Sequence, residues 1–317
     1  MGLLWGAAGL GLFLCLAIVG GVTLEDLGTA LGQVPLPGYV LIAAAQALLI
    51  VLAAAKWRIL LRMTTASRQV LCARDAVAAT TLGVLAGHAI PLQVAMPAVR
   101  AWIARRHSIS PQLAIGTSLL ELVFEVIVLI AMAVMGLSIY LAGFPWFGGL
   151  LIMAVLVSGL TLMTGPVLAG GARLVGGAAR AGDTRAGQAL ARLARGLHGA
   201  ATLPRNTLWR LTGLSFVRYT LMAGLNVLIL MQLLPGIDPW PLIVAYPLVL
   251  LMLSLPLTPG GLGLTEITWT GVLIDAGVPA PAAVGAALSL RLIASLGFLL
   301  AVPFLVGGMT PRERGAG

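Results

Sequence analysis

Four ionisable residues stand inside stretches that are otherwise apolar enough to lie in a lipid bilayer. They are Glu121, Glu125, Glu266 and Arg291. An unpaired charge at that depth is expensive, and ionisable groups inside a membrane usually mark a substrate or ion path. We therefore predict that these side chains form a polar centre within the membrane, where carboxylates and a guanidinium could hold a charged ligand.

Helix-breaking residues accompany one of these charges. Pro259, Gly260 and Gly261 interrupt an apolar stretch shortly before Glu266. Irregular backbone at membrane depth is tolerated only where protein surrounds it or where it lines a wet cavity. Glu266 would then begin a half-helix, whose free N–H groups favour a carboxylate or a ligand anion. We interpret the break, including these three residues, as part of a substrate-binding site.

Composition places the chain among integral membrane proteins. Its 317 residues have a mean hydropathy of +1.05, and 9% are charged, against about 25% in soluble domains. The net charge of +9 comes from short clusters between apolar spans, which is typical of topology signals rather than of a nucleic-acid surface. Cys15 and Cys72 have no CxxC or Cys/His spacing, so we expect no disulfide framework, metal or other cofactor.

Charge flanks and apolar length predict an all-α polytopic fold with six transmembrane helices and two re-entrant helical hairpins. The hairpins are residues 76–99, which have arginines on both flanks and bend at Pro91, and residues 241–275, which enter from the opposite side. The predicted crossings are residues 3–22, 38–55, 111–140, 147–169, 211–234 and 281–308.

The whole chain, residues 1–317, is predicted to be a single transmembrane domain. Its first half is about residues 1–146, and its second half is about residues 211–317. An arginine-rich linker, about residues 171–210, is either an amphipathic helix on the inner leaflet or an ordinary solvated loop. The arginine bias places both termini on the cytoplasmic side. We expect the membrane to be a bacterial-type inner (plasma) membrane.

Each predicted hairpin follows a crossing helix and precedes a helix that begins with a proline, and the two hairpins have opposite orientations. This order predicts an inverted repeat of the kind found in transporters. Glu121 lies ten residues after Pro111, and Arg291 lies ten after Pro281. At about 1.5 Å per residue, both are about 15 Å deep, near the bilayer midplane. We predict that Glu121 or Glu266 pairs with Arg291. The alternative is a structural salt bridge without a substrate role.

Two other polar residues lie within the predicted membrane segments. Arg218 is interpreted as snorkelling toward the cytoplasmic surface, and His88 as a packing residue of the first hairpin. On this reading the centre holds three carboxylates against one guanidinium. An excess of acid would suit a cationic or zwitterionic ligand, although Arg291 and the half-helix ends could equally receive a phosphate.

Together these residues resemble a known family, the transmembrane region of lysylphosphatidylglycerol synthases (multiple peptide resistance factor) and its stand-alone flippase-like relatives. Residues 91–100 are similar to the family's proline-led segment, which ends in an arginine, here Arg100, and the resemblance adds Arg100 to the predicted substrate-binding residues. Residues 121–125 resemble its Glu-Arg-x-x-Asp, and residues 259–266 resemble its Pro-Gly-Gly-x-Gly-x-x-Glu. Arg291 stands where the family has an arginine. Leu122, Ala95 and Met96 depart from the family pattern.

The resemblance implies a lipid flippase that moves a phospholipid headgroup, such as aminoacylated phosphatidylglycerol, between leaflets. The synthase's soluble aminoacyl transferase domain does not follow Arg314, so we expect no enzymatic activity. Membrane lipids are the expected partners, nucleic acid is not, and a homo-oligomer is left open. Two alternatives remain, namely an intramembrane enzyme acting on isoprenoid, hopanoid or glycan-linked lipids, and a non-catalytic partner of an envelope lipid biosynthesis complex.

Overall fold

A computed structural model describes residues 11, 14–64, 71–180, 201–254, 258 and 261–307, and the regular structure in these residues is helical. Residues 14–19 form a short helical stretch. The helices that follow are α1 (Leu24–Gln33), α2 (Leu36–Thr64), α3 (Ala73–Gly87), α4 (Leu92–Arg106), α5 (Pro111–Ala142), α6 (Trp146–Arg180), α7 (Arg205–Leu233), α8 (Pro239–Ser254), α9 (Leu264–Asp275) and α10 (Ala280–Val306).

Five of these helices contain segments long and apolar enough to cross a membrane. The segments are Leu36–Met63, Pro111–Ala142, Trp146–Leu174, Arg205–Leu233 and Ala280–Val306. They correspond to five of the six predicted crossings, and the chain is a membrane protein with several apolar helices. The other predicted crossing, residues 3–22, lies mostly outside the described residues.

Helix α1 was not expected, because residues 23–37 read as a loop between two crossings. The structure shows a capping box in which the Asp26 amide donates to Thr23 Oγ1 at 3.1 Å and the Thr23 amide donates to Asp26 Oδ2 at 2.8 Å. This reciprocal pair satisfies two amides at the helix start. The spacing Thr-x-x-Asp was visible in the sequence and could have predicted the helix.

Two helix pairs are too short for their members to span a bilayer, which takes about 20 residues. The first pair consists of α3 and α4, with 15 residues each. The helical backbone is interrupted between them, and Pro91 directly precedes α4. The second pair consists of α8 and α9, with 16 and 12 residues. The members of each pair pack against one another.

The long helices hold both pairs in place. In the first pair, α3 packs against α2 and α10, and α4 packs against α5. In the second pair, α8 packs against α5 and α7, and α9 packs against α10. Tyr246 of α8 and Trp269 of α9 contact each other in the largest buried apolar cluster, with ring centroids 5.7 Å apart. Residues of both pairs line one interior cavity.

The close approach of α5 and α8 predicts that two matched glycine substitutions in α5 differ in their effect on stability. A Cβ at Gly136 would collide with the backbone carbonyl oxygen of Val244 in α8, whereas a Cβ at Gly116 meets nothing within 4 Å. Gly136→Ala should lower the free energy of unfolding by about 1–3 kcal/mol. Gly116→Ala should leave it unchanged or raise it by up to about 1 kcal/mol. Unfolding in mixed detergent micelles measures both, and equal stabilities would contradict the crossing.

The ends of the predicted linker belong to long helices. Helix α6 extends to Arg180 and α7 begins at Arg205, so residues 171–180 and 205–210 are not part of a separate surface helix. Neither of these two ranges contains a proline, and Pro204 directly precedes α7. Residues 181–200, which carry the predicted amphipathic pattern, lie outside the described residues.

Candidate functional site

Residues of both helix pairs line one cavity of about 290 Å³. Both pairs contribute to its wall, together with α2, α5, α7 and α10. Its charged lining residues are Arg100, Glu121, Glu125, Arg218, Glu266 and Arg291. The cavity therefore brings together the five charged residues of the predicted site and adds Arg218.

Lys56 joins two of the carboxylates. Its Nζ donates to Glu125 Oε1 at 2.6 Å and to Ser215 Oγ at 3.1 Å, and it lies 3.4 Å from Glu121 Oε1. The lysine side chain is fully buried. In the sequence this residue resembled one more basic topology signal next to Trp57 and Arg58. It differs because α2 continues two turns beyond it, to Thr64.

Arg100 is the partner of Glu121. Its guanidinium donates a charge-assisted hydrogen bond to Glu121 Oε2 and another hydrogen bond to Thr80 Oγ1 at 3.2 Å. It also lies over the Trp57 ring, 4.8 Å from the centroid, and the indole Nε1 is fixed by donating to Thr117 Oγ1 at 3.1 Å. Glu121 is therefore engaged by Arg100 and Lys56, and its predicted pairing with Arg291 is absent from its described contacts.

Arg218 is part of the site, and the prediction that it snorkels is wrong. Its guanidinium donates to Glu125 Oε1, and Tyr219 Oη donates to Glu125 Oε2 at 3.1 Å. The Arg218 side chain is 16% exposed. The sequence placed Arg218 too near the end of its helix, because the predicted crossing begins at residue 211, about two turns before Arg218, whereas α7 begins at Arg205.

Glu266 and Arg291 form a further ionic contact at the cavity. This is one of the two pairings that the sequence predicted for Arg291. Glu266 Oε2 accepts from the Gly263 amide at 2.6 Å and from Thr265 Oγ1 at 3.0 Å, so the carboxylate caps α9. Its Oε1 lies 3.8 Å from Arg291 Nε and accepts no hydrogen bond from the part of the chain described. This is a loose contact, and the Arg291 side chain is 20% exposed.

The backbone break before α9 is present in the described residues. Gly261 and Gly263 have φ angles of 73° and 81°, which L-residues with a Cβ rarely adopt. The Gly261 carbonyl accepts from Thr265 Oγ1 at 3.0 Å, and Gly261 is not among the residues that line the cavity. Pro259 and Gly260, which were also predicted to belong to the site, lie outside the described residues.

The charge balance of the site reverses the expected excess of acid. Among the described residues, four basic side chains meet three carboxylates around the cavity: Lys56, Arg100, Arg218 and Arg291 against Glu121, Glu125 and Glu266. The predicted count was wrong because it left out Lys56, Arg100 and Arg218. With each group in its ordinary ionised form, the site carries one net positive charge, which favours an anionic ligand.

Comparisons with known proteins give one result. A family model described as "Lysylphosphatidylglycerol synthase TM region" matches residues 3–302. No curated protein and no solved structure matches the chain. The matched range includes every charged residue of the cavity.

Proposed function

This chain belongs to the lysylphosphatidylglycerol synthase TM region family, and from that premise we propose that it is a lipid flippase. The proposed activity is movement of a phospholipid headgroup between leaflets through the central cavity, without chemical change to the lipid. The proposed architecture is six transmembrane helices with the first and second pairs as oppositely oriented re-entrant hairpins of an inverted repeat. The short lengths of α3, α4, α8 and α9 support it.

The observation that carries the proposal is the loose contact of Arg291 in a cavity with surplus positive charge. Lys56 and Arg100 are at most 2% exposed and are held by short contacts to carboxylates. Arg291 is 20% exposed and meets Glu266 at 3.8 Å. Of the four basic groups, including Arg218, Arg291 has the most exposed side chain and the longest contact to a carboxylate, and we infer that it exchanges this carboxylate for a phosphate oxygen. Arginine suits that exchange, because its planar guanidinium matches phosphate geometry.

The mechanism follows from this exchange. The lipid phosphate enters the cavity while its acyl chains stay in the bilayer, and Arg291 binds it after leaving Glu266. The other charged groups, three bases and two carboxylates, contact one another, so they hold the cavity polar, and their one surplus positive charge attracts the phosphate. Rocking of the two halves about the cavity then exposes it to the other leaflet. Return of Arg291 to Glu266 releases the phosphate. An aminoacylated phosphatidylglycerol fits if Glu266 or Glu125 meets its amine.

Reconstitution of the wild-type chain into vesicles tests the function. Fluorescent phosphatidylglycerol in both leaflets is quenched from outside, and mass spectrometry then analyses the lipid. We expect quenching to proceed beyond the outer leaflet faster than in protein-free vesicles, with the lipid mass unchanged. A changed lipid mass would favour the intramembrane enzyme. Neither transfer nor chemical change, for any lipid tested, would contradict the proposal and favour a non-catalytic partner.

A further inference from the structure

His88 lies in the cavity but has no part in the ionic contacts described above. It follows the last residue of α3, at the turn of the first pair, and it is exposed. Its imidazole stacks on the Phe298 ring of α10, with centroids 5.6 Å apart and planes at 13°. Both rings line the cavity. One contact of the first pair with α10 is thus made by a titratable ring.

The hydrogen bond of His88 determines where a further proton would bind. Nδ1 lies 3.0 Å from the Val84 carbonyl oxygen. Because a carbonyl oxygen can only accept, Nδ1 must carry the hydrogen in the neutral ring. The second proton would then bind to Nε2 and convert the ring into a cation with a free donor.

The charged groups of the elements around His88 can be specified. On α10, Arg291 is seven residues before Phe298, about 10 Å along the helix, and its charge acts on the imidazole. On α4 and α2, Arg100 and Lys56 are engaged with carboxylates of α5, Glu121 and Glu125. On α9, Glu266 is directed at Arg291. Arg291 is therefore the cation that lines the cavity on the same helix that His88 contacts.

We propose that His88 takes up a proton together with the anionic headgroup, so that the imidazolium and Arg291 hold the phosphate from two sides. This inference rests on the proposed function and makes the proton a coupled ligand of the same cavity. The two cations repel each other in the empty site, and a phosphate between them removes that repulsion. Proton binding and phosphate binding must then strengthen each other to the same degree.

Calorimetry on the full chain in detergent, with short-chain phosphatidylglycerol as the probe, tests the coupling. Repeating the titration in buffers of different ionisation enthalpy gives the protons bound per lipid. For the wild type near neutral pH we expect net proton uptake, and about tenfold tighter binding at about pH 5.5 than at about pH 8, on either side of the ordinary histidine pKa. His88→Gln should bind weakly at both values, without proton uptake.

His107→Gln is the matched control. His107 lies at the far end of α4, where its Nε2 is 3.2 Å from Asp75 Oδ2, so its loss should leave the proton uptake unchanged. Equal pH dependence in His88→Gln and the wild type, or no uptake in the wild type, would overturn the proposal. Leaflet transfer by the wild type is measured separately. Absence of transfer would refute the flippase function, whereas the binding data decide the role of His88.

Discussion

Glu125→Gln should lower the free energy of unfolding by about 3–5 kcal/mol, the range for a buried ion pair that loses one partner. Glu125 is the shared acceptor of Lys56 and Arg218. Without its charge, these two cations and Arg100 would share the single carboxylate of Glu121. Glutamine preserves the shape of the side chain, so the loss would come from charge rather than from packing.

Unfolding of the purified protein in mixed detergent micelles measures this effect. Glu25→Gln is the matched control, because it makes the same chemical change on the exposed first turn of α1, and we expect little change in stability. If the two variants unfold at the same detergent fraction as the wild type, the charge network around Lys56 does not stabilise the fold as described.

Glu266→Gln should abolish leaflet transfer while the protein remains folded. The glutamine Oε1 can still accept from the Gly263 amide, as Glu266 Oε2 does at 2.6 Å, so the cap of α9 is retained. The charge that competes with phosphate for Arg291 is removed, however. We expect phosphatidylglycerol to bind about tenfold more tightly, a gain of about 1.4 kcal/mol, and to be released too slowly for turnover.

Vesicle transfer and lipid binding are measured on the same preparation of this variant. The pair of results is diagnostic, since simple unfolding would weaken both, whereas a trapped headgroup strengthens binding and stops transfer. The Glu25→Gln protein should match the wild type in both assays. Normal transfer by Glu266→Gln would remove Glu266 from the mechanism.

The features that could be predicted from the sequence are those that local chemistry determines. Pro91 restricts the backbone and removes a donor, whereas Gly261 and Gly263 give the backbone extra freedom, and both effects disfavour a continuous helix wherever these residues occur. The breaks were therefore visible without a structure. Glu266 and Arg291 were recognisable because charge is rare in apolar spans. In the structure, Arg291 Nε lies 3.8 Å from Glu266 Oε1.

The features that could not be predicted depend on which helices become neighbours. Whether Glu121 meets Arg291 or Arg100 is decided by the packing of α4 against α5, which no local pattern encodes. Lys56 and Arg218 were misread for a related reason. A base near the end of an apolar run is either a topology signal or one member of an ion pair, and the presence of a carboxylate on a neighbouring helix decides between them.

A photoactivatable phosphatidylglycerol tests the central claim, that the headgroup occupies the cavity between the two helix pairs. The reactive group is placed on the headgroup, the protein is labelled in vesicles, and modified residues are mapped by mass spectrometry. We predict adducts on cavity-lining residues such as Met96 and Met222. Adducts confined to outward-facing residues such as Leu151 and Val155, which are 66% and 62% exposed, would contradict the account.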